Sequence, residues 1–98
     1  MGHSLQAAAF LMETRIADAA MGSIDALFQL GIAYSTGSDG VDVDFIEAHK
    51  WFNLAALSGS NEAQQCRADI ADEMTAREIA EAQRRAREWL AAESRRAA

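Results

Sequence analysis

Along most of the chain, apolar residues recur at steps of three and four, the spacing that gathers side chains on one face of an α-helix. Leu5, Ala8, Ala9, Met12, Ile16 and Ala19 form one such stripe and predict a first helix that ends near Met21-Gly22. A second begins after Ser23, a capping residue, and carries Asp25 near its positive start; Ala26, Leu27, Leu30, Gly31 and Tyr34 line one face and Gly37 stops it. The stretch "STGSDGVDV" is rich in turn formers and predicts a loop. Asp44 with Glu47 three residues on predicts a capping box for a third helix through "FIEAHKWFNLAALS" to Gly59, with Phe45, Ala48, Phe52 and Ala55 in step and Trp51 beside them. A fourth helix starts at Ser60 or Asn61 and turns Ala63, Cys66, Ile70 and Met74 inward. Thr75 and Glu78 predict a second capping box, opening a last helix through Ile79, Ala82, Ala86, Trp89 and Leu90. The expected fold class is all-α, an array of αα-hairpins of about five helices with short connections.

One feature breaks the helical pattern. Gly31 sits inside an Ala/Leu-rich helix, where glycine costs roughly 1 kcal/mol relative to alanine. Such a residue is expected where something packs too closely for a side chain. The segment around it also repeats: "GSIDA" at 22–26 returns as "GSNEA" at 59–63, a shift of 37 residues. From Ala26 the first copy reads A-x-x-x-L-G-x-x-Y-x-x-G to Gly37 and continues with Gly40-Val41, Asp44, Ala48, Trp51-Phe52, Ala55-Ala56 and Gly59. This pattern resembles the Sel1-like repeat, a relative of the tetratricopeptide repeat. The defining positions matched over 23–59 are Ala26, Leu30, Gly31, Tyr34, Gly37, Ala48, Trp51, Phe52, Ala55, Ala56 and Gly59.

In a hairpin of this kind, Ala26, Leu30 and Tyr34 stack as a ridge. Gly31 and the Ala55-Ala56 pair are expected to let two backbones approach, and Tyr34, Trp51 and Phe52 to fill the space where the hairpin widens. In the second copy Leu30-Gly31 becomes Arg67-Ala68, Tyr34 becomes Ala71 and Gly37 becomes Met74. Residues 60–95 therefore read as a degenerate repeat and C-terminal cap with its arginines facing water, and residues 4–21 as an N-terminal helix or cap. All three parts are expected to form a single domain over 1–98.

Composition narrows the function classes. Of the 98 residues half are apolar and none is proline, as in a soluble helical protein. The net charge of −6 is uneven: residues 1–76 hold 11 acids and 3 bases, residues 77–98 hold 4 acids and 6 arginines. Because those arginines alternate with glutamates, no concentrated basic face is expected and nucleic acid is not the expected partner. The start of the chain lacks a basic segment before its short apolar run, and Glu13 and Arg15 interrupt the residues after that run. Neither a signal peptide nor a membrane span is expected, and the expected location is cytoplasmic, with the periplasm open to a fragment that has lost its signal. The single Cys66 excludes an internal disulfide.

Catalytic and metal chemistry find little to stand on. Asp39, Asp42, Asp44 and Glu47 are oxygen donors in the order of turn and cap residues rather than of an EF-hand. His3 and His49 lie far apart in sequence, and His49 is expected to be exposed or half-buried. Cys66, on an apolar stripe, is expected to be a small buried side chain without an activating base. The chain is accordingly expected to be no enzyme and to carry no cofactor or metal.

The resemblance implies an adaptor or scaffold for protein–protein interaction, of bacterial origin, with a protein or peptide partner lying on the first helix of each hairpin. On the second helix Phe28, Gln29, Ile32 and Ser35 remain outside the ridge and are the candidate binding residues. Phe28 and Ile32, four apart, are either an outward anchor or contacts to the stripe of the first helix. The alternative function is self-association, a homodimer by stacking or helix exchange, because one full repeat is near the minimum that buries a continuous core.

Overall fold

The computed structural model describes residues 2–97, with side chains from Gln6 onward, and places helices α1 at Gly2–Ala20, α2 at Ile24–Thr36, α3 at Phe45–Leu57, α4 at Asn61–Ala71 and α5 at Ala76–Ala97. The side chains of His3 and Leu5 lie outside the described residues. Each junction is set by a local hydrogen bond that the residue types provide. Ser23 Oγ accepts from the Ala26 N–H at 3.1 Å, and Ser60, rather than Asn61, does the same for Ala63 at 3.1 Å. At α5 the reciprocal box forms: the Glu78 N–H donates to Thr75 Oγ1 at 3.1 Å and the Thr75 N–H to Glu78 Oε1 at 2.8 Å. At α3 only half of it forms. The Asp44 carboxylate accepts from the Glu47 N–H, but the Asp44 N–H donates to the Tyr34 carbonyl at 2.9 Å, which frees the Glu47 carboxylate for cations. Gly37 ends α2 at φ +72°, the left-handed conformation that glycine adopts at least cost.

α3 is the central helix. It packs against α2, α4 and α5, while α1 rests chiefly on α2. α4 and α5 each lean on α3 and share little backbone contact with one another. The core runs from Met12 and Ala19 of α1 through Leu27, Leu30 and Ala33 of α2 to Ala48, Phe52, Leu54 and Ala55 of α3, and is closed by Ala63 and Ala86. Its small members let the helices approach, and Phe52 and Leu30 are the largest side chains wholly removed from solvent.

Gly31 does occupy a close contact, but its neighbour is a ring. A Cβ built there would stand 2.4 Å from Cδ1 and 2.5 Å from Cε1 of Phe52. Phe52 therefore fills the notch at the tightest point of the hairpin rather than the space where it widens, and Gly31 is the notch. Two stripes are narrower than the spacing suggested: Ala9 and Ile16 of α1 and Leu90 of α5 are exposed. The loop between α2 and α3 grips α1, with Asp39 in an ion pair with Arg15 and Gly40 against Ala8.

Candidate protein-binding surface

α2 carries the residues expected to bind. Phe28 is half-buried with its ring centroid 5.6 Å from that of Phe52 of α3. Ile32 is likewise half-buried against the core. The Ser35 hydroxyl donates to the Ile32 carbonyl at 3.1 Å, and Gln29 is half-buried beside them. These four side chains share one side of α2, and each is partly covered by the chain itself.

A more open apolar surface lies elsewhere. Where α1 ends and α5 continues past α3, the two leave a groove of about 260 Å³ walled by Ala19, Ala20, Leu27, Leu54, Leu57, Trp89 and Leu90. Leu57 is 65% exposed at its edge. At its rim the Ser58 hydroxyl donates to the Leu54 carbonyl at 3.0 Å and Glu93 pairs with Arg96. A second depression, of about 330 Å³, continues from it past Ala20, Met21, Glu93 and Arg96. Such a lining suits apolar side chains. Periodicity missed the groove because it assigns residues to inner and outer faces of single helices; a gap between α1 and α5 depends on how far apart the helices lie.

Toward its N-terminal end the same side of α3 is electrostatic. Arg85 bridges α5 to α3, its guanidinium 2.8 Å from Glu47 and 3.0 Å from Glu81, and Lys50 reaches Glu47 at 3.5 Å. Arg85 thus turns inward, unlike the water-facing arginines expected of a cap; Arg84, Arg87, Arg95 and Arg96 are exposed. Hydrogen bonds from Arg84 and Arg85 hold the Glu81 carboxyl down to about 2. Above this cluster the Lys50 ammonium stands 4.2 Å from the centroid of Trp51, which meets Trp89 edge-on at 4.8 Å. Among the described residues, neither the Trp51 indole N–H nor His49 Nδ1 finds a partner.

His49 is a correction. Instead of lying exposed or half-buried it is 3% exposed, and burial, reinforced by the nearby Arg67 guanidinium, lowers its pKa and keeps the ring neutral. Arg67 itself is fixed by a hydrogen bond to Asn53. The signal lay in register: His49 falls one residue after Ala48 and three before Phe52, close to the buried stripe. Cys66 is half-buried rather than buried, and desolvation followed by Asp69 and Glu62 raises its pKa, so it stays a thiol. Tyr34 is raised likewise, by burial and then by Glu47 and Asp44. Of the acidic residues between 39 and 47, Asp39 faces Arg15, Asp44 caps α3 and Glu47, in the first turn of α3, faces Lys50 and Arg85. Among the described residues no three of His, Cys, Asp or Glu gather into a metal site, and no helix is long and apolar enough to cross a membrane.

Helical hairpins in series, with the second helix of one supporting both helices of the next, define the αα-hairpin repeat class. Residues 24–60 match the family model of the Sel1 repeat, and the matched unit is the α2–α3 hairpin. Sel1 repeats are generally protein-interaction modules and typically non-catalytic. Comparison with curated proteins and with solved structures gives no significant match.

Proposed function

We propose that this chain is a non-catalytic adaptor that receives an apolar segment of a protein partner in the groove between α1 and α5. The observation that carries the reading is the exposure of Leu57 beside a groove walled by Leu27, Leu54 and Leu90. Apolar area removed from water is worth about 25 cal/mol per Å², so one or two side chains seated there support a modest, reversible interaction. The test is capture from the source cells with the wild type and with Leu57→Lys, followed by titration of the purified prey. A prey that binds the wild type and binds Leu57→Lys at least about tenfold more weakly, a difference of about 1.4 kcal/mol, supports the groove. Equal binding to both, with the melting temperature unchanged, refutes it. A second reading, contact along α2 through Gln29 and Ser35 beside Phe28 and Ile32, is favoured by the partial exposure of all four. Gln29→Ala then weakens capture where Leu57→Lys does not.

A further inference from the structure

An apolar stripe along a helix normally lies against a partner surface. α1 rests chiefly on α2, through Met12 and Ala19, yet its opposite side also carries an apolar stripe. Ala7, Phe10, Thr14, Ala17 and Met21 succeed one another at steps of three, four, three and four, the seam spacing of a two-helix coiled coil. All five are exposed, Phe10 by 71% and Met21 by 87%. Thr14 does not interrupt the stripe, because its hydroxyl donates to the Phe10 carbonyl at 2.9 Å and turns no unmet polar group outward. No charge lies on the seam.

We propose that this stripe is a self-association surface, on which α1 of a second copy packs antiparallel. The choice of a second copy rests on self-complementarity. In an antiparallel register centred between Arg15 and Ile16, Phe10 meets Met21 of the partner subunit and Thr14 meets Ala17 of the partner subunit, so that layers of large side chains flank layers of small ones. Phe10 against the partner's Met21 is a sulfur–aromatic contact, which suits a thioether and a ring. Charge selects the direction. Beside the seam stand Glu13 and Asp18. A parallel pair sets Glu13 against Asp18 of the partner subunit on both flanks, acid against acid. The antiparallel register sets Glu13 by the partner's Ala20 and Asp18 by the partner's Leu11, leaving no like charges opposed. Two copies of a chain of net charge −6 repel across most of their surface, and this uncharged strip is where they can meet. Arg15 stays clear of the seam, paired with Asp39. Leu57 takes no part in this contact, which adjoins the groove only at Ala20 and its continuation at Met21.

Sedimentation of the purified chain over a concentration series tests it. The wild type is expected to pass from monomer to dimer, and Phe10→Glu, at an exposed site where the fold is checked by circular dichroism, to weaken that step at least about tenfold. Leu11→Lys places a cation by the partner's Asp18 and is expected to tighten the dimer about threefold. A wild type that stays monomeric, or a dimer indifferent to Phe10→Glu, overturns the proposal. No change or a loosening with Leu11→Lys overturns the antiparallel register. Because Leu57→Lys leaves the seam intact, failure of the dimer and failure of the groove are read from different variants.

Discussion

The α2–α3 hairpin and the α4–α5 segment answer to the same 37-residue shift, yet they are held by different forces. In the hairpin, Phe52 is driven into the notch at Gly31 and Leu30 is sealed beneath it, so cohesion comes from shape. Thirty-seven residues on, Arg67 and Ala68 stand where Leu30 and Gly31 stood, and the notch is gone. α5 is fastened instead by the edge-on contact of Trp89 with Trp51 and by Arg85 on Glu47. Packing of the first kind tolerates almost no change of volume. Fastening of the second kind is graded, so the second unit can lose contacts singly.

Substitutions ranked by expected effect sharpen this contrast. Phe52→Ala, which empties the notch, is expected to cost about 3–5 kcal/mol and to unfold much of the chain at 37 °C, as chemical denaturation will read. Gly31→Leu attacks the same contact from the other side; with the ring fully enclosed and unable to yield, we expect about 3 kcal/mol, at the upper end of overpacking costs. An unchanged melting temperature would remove Gly31 from its place in the hairpin. Trp89→Ala is expected to cost about 2 kcal/mol, from partial burial and the edge-on pair, and hydrogen exchange should show α5 opening while α2 and α3 stay protected. Arg85→Ala, with its guanidinium partly in water, should cost less than about 1 kcal/mol and the loss should shrink further in salt.

The smallest expected effect concerns pH. His49 is held neutral in the fold, below the ordinary 6.5, so the unfolded chain takes up a proton first as the solution is acidified. Its contribution is therefore fully present above about 6.5 and is lost as pH falls through the folded value. Thermal melts of the wild type should decline between about pH 7 and pH 5 more steeply than those of His49→Leu. Parallel profiles for the two proteins would show that His49 is not the titrating group.

Helix boundaries were legible because each is written in one or two residues: Ser23, Gly37, Asp44, Ser60 and the Thr75–Glu78 pair each act within a single turn. The small residue at 31 was legible as well, since only a close neighbour justifies glycine there. The identity of that neighbour was not, because Phe52 and the Ala55-Ala56 pair lie on one side of the same helix, one turn apart along its axis. The same limit hid the enclosure of His49, the inward turn of Arg85 and the groove beside Leu57. Each depends on the angle and distance between two helices, quantities to which no single periodic stripe refers. The four candidate binding residues on α2 were chosen as what the ridge left over, and the structure shows them partly covered, Phe28 by Phe52.

The grip of the α2–α3 loop on α1 sets the order in which the molecule comes apart. Arg15 on Asp39 and Ala8 beside Gly40 join α1 to the loop, while its remaining support comes chiefly from one side of α2. Breaking that latch lets the first helix swing out as a rigid arm without disturbing the ring lodged at Gly31. Slow proteolysis should accordingly clip near Met21 and Gly22 and release a trimmed but still folded body.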